Sequence, residues 1–409
     1  MSERHYSTSA NGIGGKLKRR IEDFIVSEIT IEGKKCNVIL PMERKNTVVP
    51  EKPAGKEQLV CLMQKYNTET NMALKRISRF AGLSGKRFGY AGIKDKRAVT
   101  CQRISIWNPV PERLANFSSK IMQLRECEWG NGRVEIGALK GNDFEITVRD
   151  IALPESEARK RTEECLRELD EKGALNYFGE QRFGGIRNVS HLVGEAFVKE
   201  SVEAGVMVYL THDSELEESE VREARKNLAE TRDFPRALKE FPVKYSFERA
   251  ILNRLVKNPD DFADAFAALP KNLRYLFTHA YQSHLFNECI GLRIEAGLPF
   301  TPIEGDVTEE GVVTLPLFGF MSVLAEGEQG KIERKILRKE KISLDSFRIE
   351  GMPELSSKGA RRKAIVFPEN ARLISISRDE FFEGKTSVKL GFYLPKGNYA
   401  TTVMQEIMK

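Results

Sequence analysis

One acidic residue, Asp95, lies within a cluster of cations. Residues 71–103 contain nine Lys/Arg and one acidic residue, so this segment carries +8 (9 − 1), whereas the whole chain carries +6. A local cluster of cations favours a polyanion, because each neutralised phosphate releases counterions. Lys94 and Lys96 flank Asp95 and favour its ionised form, which is the form that acts as nucleophile or general base. The pattern predicts a reactive carboxylate in an RNA-binding site, and the alternative is a solvated charged loop.

The residues next to Asp95 narrow the chemistry. Gly92 permits a tight turn, and Thr100 and Gln102 lie on one face of a predicted strand. The nearby segment GLSGKRFG (82–89) lacks the GxxxxGK[ST] spacing of a phosphate-binding loop. The sequence therefore argues against nucleotide hydrolysis.

Two further segments have residue types that suit RNA. NYFGEQRFGG (176–185) sets Phe178 and Phe183 beside glycines, and exposed rings of this kind stack on unpaired bases. The alternative is that both rings belong to a hydrophobic core. Arg361, Arg362 and Lys363 form a second basic group, for which the alternative is simple solvation.

Composition excludes several classes of protein. The six cysteines include no CxxC pair, which argues against a zinc ribbon or a redox dithiol. No run of about 18 apolar residues is present, so no membrane span is expected. The N-terminal residues lack the apolar region of a secretory signal. We therefore expect a cytoplasmic protein with reduced thiols, no metal and no membrane association.

Hydrophobic periodicity predicts the elements that position these residues. Strands are expected at 23–29, 36–42, 58–63 and 98–107 and in FEITVRDI (144–151), with helices from Thr68 or Thr70 to about Phe80 and from Pro154 to Glu171. Residues 221–241 and 245–295 read as mostly helical, and 302–345 as short strands and loops. The chain ends in a strand, a turn and a short helix, and this strand would complete a sheet begun earlier. The order indicates an α+β domain interrupted by another.

Taken together, several segments resemble the TruD family of tRNA pseudouridine synthases. They occur in family order along nearly the whole chain: 16–29, 67–70, 88–102, 137–150, 176–185, 280–287, 361–368 and 392–407. The resemblance implies a pseudouridine synthase catalytic domain with a mixed, mainly antiparallel sheet flanked by helices. It also implies an inserted α/β domain, the TRUD domain. We assign residues 1–189 and 368–409 to the catalytic domain and 190–367 to the insertion.

The resemblance also implies the reaction and the site residues. A uridine of tRNA, typically at position 13, would lose its N1–C1′ bond and be rejoined through C5, without a cofactor. Asp95 matches the essential aspartate, Lys18 its basic neighbour, Phe178 the ring that stacks on the base, and Asn176 a polar residue near it. Arg361 or Arg362 would meet RNA phosphate, and Glu22 and Gln102 would support the site. Lys94, Lys96 and Arg97 are RNA-binding candidates by their charge.

The sequence leaves several alternatives open. Asp95 is assigned as nucleophile or base without a choice between the two. A tRNA-binding protein or RNA chaperone on the same fold would share the basic segment but form no product. A uridine-specific glycosidase would share the aspartate and release free uracil. Nothing in the sequence demands a dimer, so we expect a monomer.

Overall fold

The structure, a computed structural model, describes residues 5–42 and 46–409 and divides into two compact units. One unit comprises Tyr6–Ala174 and Val366–Lys409, and we call it the sheet unit. The other comprises Leu175–Ile365 and interrupts the first in sequence, and we call it the inserted unit.

The elements are numbered along the part of the chain that the structure describes. The strands are β1 (Phe24–Thr30), β2 (Gln58–Tyr66), β3 (Phe88–Tyr90), β4 (Val99–Trp107), β5 (Met122–Gly130), β6 (Leu139–Ile151), β7 (Ala174–Leu175), β8 (Thr308–Glu309), β9 (Val312–Leu317), β10 (Ala360–Lys363), β11 (Ile365–Val366), β12 (Glu369–Arg378) and β13 (Thr386–Pro395). The α-helices are α1 (Thr70–Ala81), α2 (Pro111–Ala115), α3 (Glu155–Lys172), α4 (Ser190–Lys199), α5 (Val202–Thr211), α6 (Ser219–Thr231), α7 (Phe234–Glu240), α8 (Ser246–Leu255), α9 (Phe262–Ala267), α10 (Lys271–Glu295), α11 (Gly327–Glu340) and α12 (Ala400–Met408).

A mixed sheet forms the centre of the sheet unit. Among the described residues it has eight strands in the order β12-β13-β6-β1-β4-β2-β5, with β3 paired to β4. Strands β1 and β4 are parallel, and the other pairings of this sheet are antiparallel. This arrangement confirms the predicted α+β class with a mixed, mainly antiparallel sheet.

The C-terminal strand completes the sheet, as the sequence predicted. Val388 of β13 lies opposite Val148 of β6, and Leu390 lies opposite Ile146. These side chains are fully buried, because alternate residues of each strand point to the same face and share one core. The two segments of the sheet unit are thus joined by strand pairing.

Helix α1 confirms the helix predicted in this region, although a different residue occupies its N-cap. Ala73, Ile77 and Ala81 form its buried face, and Gly82 ends it in a left-handed conformation with φ +67°. The N-cap position belongs to Glu69, which makes no side-chain capping bond, rather than to a threonine.

The strand predicted at 36–42 is wrong. The Cys36 N–H donates to the Glu28 carbonyl of β1 at 2.8 Å, but beyond this bond side chains bind the backbone and no strand forms. The amide of Gln64 accepts from the Ile39 N–H (2.9 Å) and donates to the Ile39 carbonyl (2.8 Å), and Arg125 donates to the Asn37 carbonyl. An extended segment with this pattern cannot be told from a strand by sequence alternation alone.

The inserted unit is mainly helical. Its long helix α10 contributes buried residues to a large apolar core, including Phe277, Tyr281 and Phe286. A small antiparallel sheet, β10-β9-β8, accompanies the helices. The prediction of short strands and loops across 302–345 is partly wrong, because α11 occupies 327–340. Ile336 is fully buried there and Ile332 and Leu337 are largely so, which shows that an apolar helical face had been overlooked.

The chain leaves the sheet unit earlier than predicted. The unit boundaries fall at 174/175 and 365/366, whereas the sequence analysis set them at 189/190 and 367/368. The first difference arises because Phe178 and Phe183 are buried in the core of the inserted unit. Residues 175–189 thus pack with the inserted unit, and the assignment of the catalytic domain stays a prediction.

Candidate active site

Asp95 lies in the loop between β3 and β4, and residues 92–97 are called the Asp95 loop below. Its carboxylate accepts a hydrogen bond from the Lys18 ammonium at 2.8 Å, and the two side chains are 36% and 20% exposed. Lys18 precedes β1, and Asp95 precedes β4. Because β1 and β4 are parallel neighbours, the residues before them meet at one edge of the sheet. The structure therefore brings the two predicted reactive residues together.

The backbone at Lys18 is fixed by Arg97. Lys18 has φ +54°, a conformation uncommon for a residue with a side chain. The Arg97 guanidinium donates to the Lys18 carbonyl at 2.8 Å and to the Arg19 carbonyl at 3.2 Å. Arg97, predicted to contact RNA, thus links the Asp95 loop to the segment that carries Lys18. Its RNA contact stays a prediction.

Buried polar side chains bind the backbone of the Asp95 loop. Lys65 of β2 donates to the Asp95 carbonyl at 2.6 Å and to the Lys94 carbonyl at 3.3 Å. The Thr70 hydroxyl accepts from the Lys94 N–H at 3.1 Å. Gln102 donates to the Gly92 carbonyl at 2.9 Å, which fits the supporting role predicted for it. The loop is therefore held by β2, α1 and β4 together.

Lys94 and Lys96 flank Asp95 but have opposite environments. The Lys94 side chain is 4% exposed and its ammonium pairs with the buried Glu28 carboxylate at 2.6 Å. The prediction that Lys94 binds RNA therefore needs correction, because its charge is already neutralised in the interior. The Lys96 side chain is 65% exposed, pairs with Glu69 at 3.4 Å, and stays a candidate for phosphate.

Glu22 lies near the start of β1 and supports this edge of the sheet. Its carboxylate accepts from the Tyr66 hydroxyl at 2.9 Å and lies 3.6 Å from the Arg20 guanidinium. Burial, together with this hydrogen bond, raises the pKa of Tyr66, so the phenol stays protonated and continues to donate. The geometry fits the supporting role predicted for Glu22.

The predicted base-stacking residues lie in the inserted unit. Phe178 is 7% exposed and packs edge-on against Phe286, with the ring centroids 5.4 Å apart. The Arg362 guanidinium lies 4.4 Å from the centroid of the Phe178 ring and donates to the Asn176 side-chain carbonyl at 2.6 Å. The Asn287 side-chain amide binds the Phe178 main chain twice: the Phe178 N–H donates to Asn287 Oδ1, and Asn287 Nδ2 donates to the Phe178 carbonyl. Asn176, Phe178 and Arg362 therefore form one cluster.

Arg361 belongs to a different environment from its neighbour. Its guanidinium donates to the Thr314 carbonyl at 2.7 Å and to the buried Glu333 carboxylate at 2.8 Å. The side chain is 19% exposed. The guanidinium is engaged within the inserted unit, and the phosphate contact predicted for Arg361 or Arg362 stays a prediction.

Sequence reasoning missed the buried groups behind the site. Lys65, Thr70 and Glu28 were not singled out, although each contacts the Asp95 loop. A lysine within the otherwise apolar strand QLVCLMQKY was the available signal, since a charged residue at a buried strand position needs a specific partner.

No group of three or more His, Cys, Asp or Glu side chains is arranged to hold a metal ion in 5–42 and 46–409. Over the same residues, no helix combines the length and apolar character that crossing a membrane requires.

Comparison with known proteins gives the family of the chain. A sequence model of the family described as tRNA pseudouridine synthase D (TruD) matches residues 1–311 and 307–407. The chain belongs to the TruD family. It is 37% identical to a protein of Methanococcoides burtonii named "Probable tRNA pseudouridine synthase D", over 99% of this chain and 95% of the relative. It is 41% identical to a protein of the same name from Methanopyrus kandleri, over 85% of this chain and 84% of the relative.

A solved TruD structure has the same fold. The crystal structure of a tRNA pseudouridine synthase D from Methanosarcina mazei superposes with a TM-score of 0.81 at 35% identity, covering 99% of this chain and 96% of that one. As a TruD family member, the protein is an isomerase that forms pseudouridine in tRNA.

Proposed function

We propose that the protein converts uridine 13 of tRNA to pseudouridine with Asp95 as the reacting carboxylate and without a cofactor. The observation that carries this proposal is the Asp95–Lys18 ion pair at 2.8 Å on a loop whose backbone is fixed by buried side chains. A carboxylate that is held by an ammonium group and still one-third exposed is able to meet a substrate. The same proposal has the protein act as a cytoplasmic monomer, as expected from the sequence.

The reaction is an isomerisation and balances without any other reactant. The N1–C1′ bond breaks, the uracil turns, and a C5–C1′ bond forms. The hydrogen on C5 leaves as a proton and N1 gains a proton, so no electrons enter or leave. Asp95 acts as the nucleophile or as the base, and Lys18 holds its charge and orientation.

Phe178 is proposed to stack on the extruded uracil. Extruding a base costs a few kcal/mol, and stacking on an aromatic ring offsets about 1–3 kcal/mol of that. A phenyl ring has no exchangeable proton, so its contribution is packing. Asn176 and Arg362, which contact one another beside this ring, would orient it.

The test is pseudouridine mapping on unmodified tRNA transcripts that carry uridine 13. Wild-type protein without added cofactor or metal is expected to give one carbodiimide-dependent primer-extension stop, and Asp95→Asn is expected to abolish it. Asp150→Asn is the matched control, because Asp150 pairs with Lys16 at 2.7 Å much as Asp95 pairs with Lys18. Asp150 has φ +59°, which asparagine tolerates.

Each other result points to a specific alternative. A stop that persists in Asp95→Asn would remove Asp95 from the reaction. Tight tRNA binding without a stop in wild type would favour a binding protein or RNA chaperone. Free uracil in the supernatant would indicate a glycosidase. A stop at another position would correct the proposed uridine 13.

A further inference from the structure

Lys65 is a buried cation that the reaction as described does not use. It lies on β2, opposite Thr100 of β4 and Met122 of β5, and its exposure is 0%. An ammonium group removed from water is retained only where polar partners compensate its charge. The question is therefore which partners it has and what they do.

The partners of Lys65 are two consecutive carbonyls of the Asp95 loop. Its Nζ lies 2.6 Å from the Asp95 carbonyl oxygen and 3.3 Å from that of Lys94. Among the described residues no carboxylate lies within ion-pair distance of it. A lysine that served only to neutralise an acid would have a carboxylate as its first partner. This one bridges the two peptide groups that flank the Asp95 Cα.

The charged groups around Lys65 leave it protonated and able to donate to both carbonyls. Burial lowers its pKa to about 8, Asp95 and Glu69 act to raise it, and Lys94 acts to lower it further. Since that value lies about one unit above neutral pH, the ammonium form prevails there by roughly tenfold. Three N–H donors are then available to the two carbonyls.

On this basis we infer that Lys65 is a positioning residue of the isomerisation, which fixes the peptide of Asp95 so that the carboxylate meets Lys18 and the substrate. The inference rests on the proposed role of Asp95. Thr70 and Gln102 hold the loop through Lys94 N–H and Gly92 O, but only Lys65 binds the main chain of Asp95 itself among the described contacts. A shift of about 1 Å in a reacting group lowers a rate by roughly 100-fold.

The test uses Lys65→Met, which keeps the side-chain length and removes the donors. Its matched control is Gln64→Met, the preceding residue of β2. Gln64 is equally buried and binds the main chain of Ile39, away from Asp95. Single-turnover rates come from tritium release from tRNA labelled at C5 of uridine, and affinities come from filter binding.

Lys65→Met is expected to lower the single-turnover rate roughly 10- to 100-fold, while its tRNA Kd stays within about twofold of wild type. Gln64→Met is expected to keep both. A Lys65→Met rate equal to wild type would overturn the inference, and so would an equal loss in both variants, which would mean general destabilisation.

Two further measurements keep the inference separate from the proposed function. Asp95→Asn assayed in parallel tests the function itself, without reference to Lys65. Hydrogen exchange of a peptide spanning 92–98 is expected to speed up at least tenfold in Lys65→Met and not in Gln64→Met. Unchanged exchange would overturn the inference whatever the activity.

If Lys65→Met does not fold, Lys65→Gln takes its place. The glutamine amide keeps donors but is too short to bridge both carbonyls. We therefore expect a smaller rate loss than for Lys65→Met and faster exchange of the 92–98 peptide than in wild type. Wild-type values for both would overturn the positioning role.

Discussion

The Asp95 loop and the Phe178 cluster (Asn176, Phe178, Arg362) both have a main chain that is held by other side chains, but they differ in exposure. In both regions side chains from elsewhere bind the main chain, with Lys65 acting on Asp95 and Asn287 acting on Phe178. The Asp95 carboxylate is nevertheless 36% exposed, whereas Phe178 is 7% exposed beneath a guanidinium. Under the proposed roles, the Asp95 carboxylate is open to a substrate, whereas the Phe178 ring is covered by its neighbours. The position of the Asp95 loop depends on individual hydrogen bonds, and the position of the Phe178 ring depends on packing.

The largest effect is expected from breaking the buried ion pair behind the Asp95 loop. Lys94→Met leaves the fully buried Glu28 carboxylate without its cation, which costs about 3–5 kcal/mol of unfolding free energy. Urea unfolding followed by tryptophan fluorescence reports on the sheet unit alone, because both tryptophans, Trp107 and Trp129, lie in it.

Lys34→Met is the control for this variant. Lys34 pairs with Glu126 at 3.1 Å, but both side chains are about half exposed or more, so the loss should stay below about 1 kcal/mol. Equal losses for the two variants would show that burial does not decide the strength of these pairs.

The second prediction separates the two units by pH. Burial lowers the pKa of His191, which packs against Phe183 and His284, from 6.5 to about 4. Between about pH 6.5 and pH 4 this histidine is protonated in the unfolded chain but neutral in the folded one, so the free energy of unfolding falls as the pH drops through this range. Between pH 7.5 and pH 5 the loss is about 2 kcal/mol for His191.

This loss should be confined to the inserted unit. His212 and His279, whose pKa values burial also lowers, act in the same direction, and the ranges that form the sheet unit contain no histidine. The protection of α10 from hydrogen exchange should weaken at pH 5, and it should weaken less in His191→Phe. The tryptophan signal should stay nearly constant. An equal change in both units would contradict the assignment.

A third prediction tests stacking against packing. Phe178→Leu keeps an apolar side chain and should cost about 1 kcal/mol of stability, but it removes the ring and should lower pseudouridine formation about tenfold. Phe286→Leu removes the ring that packs edge-on against Phe178 and should cost similar stability with activity largely kept. Equal activity losses in the two variants would assign the effect to packing.

The smallest effect is expected at Lys96. If this exposed lysine contacts one phosphate, Lys96→Gln should reduce the slope of log Kd against log salt by about one and weaken tRNA binding a few-fold. Lys160→Gln, on the exposed face of α3, is the control and should leave the slope unchanged. An unchanged slope for Lys96→Gln would leave this lysine merely solvated.

What the sequence predicted and what it missed differ in physical origin. Strands such as β4 and β13 and the helix α1 follow from local periodicity, and the Asp95–Lys18 pairing follows from matched motifs. The burial of Lys94 does not follow from the sequence. The sequence shows the charge of Lys94, but its partner, Glu28, lies far away along the chain. The boundary of the compact unit at 174/175 could not be read from the sequence for the same reason, since Phe178 shows its burial only when packed against α10.

The order of strands in the sheet has a consequence for synthesis on the ribosome. Strand β6 pairs with β1 on one side and with β13 on the other, and the whole of Leu175–Ile365 is made between them. At about 5–20 residues per second, β6 waits roughly 10 to 50 s with one edge unpaired. An unpaired strand edge recruits other strands, so the nascent chain is most prone to aggregation during that interval. The interval ends when β13 emerges and pairs with β6.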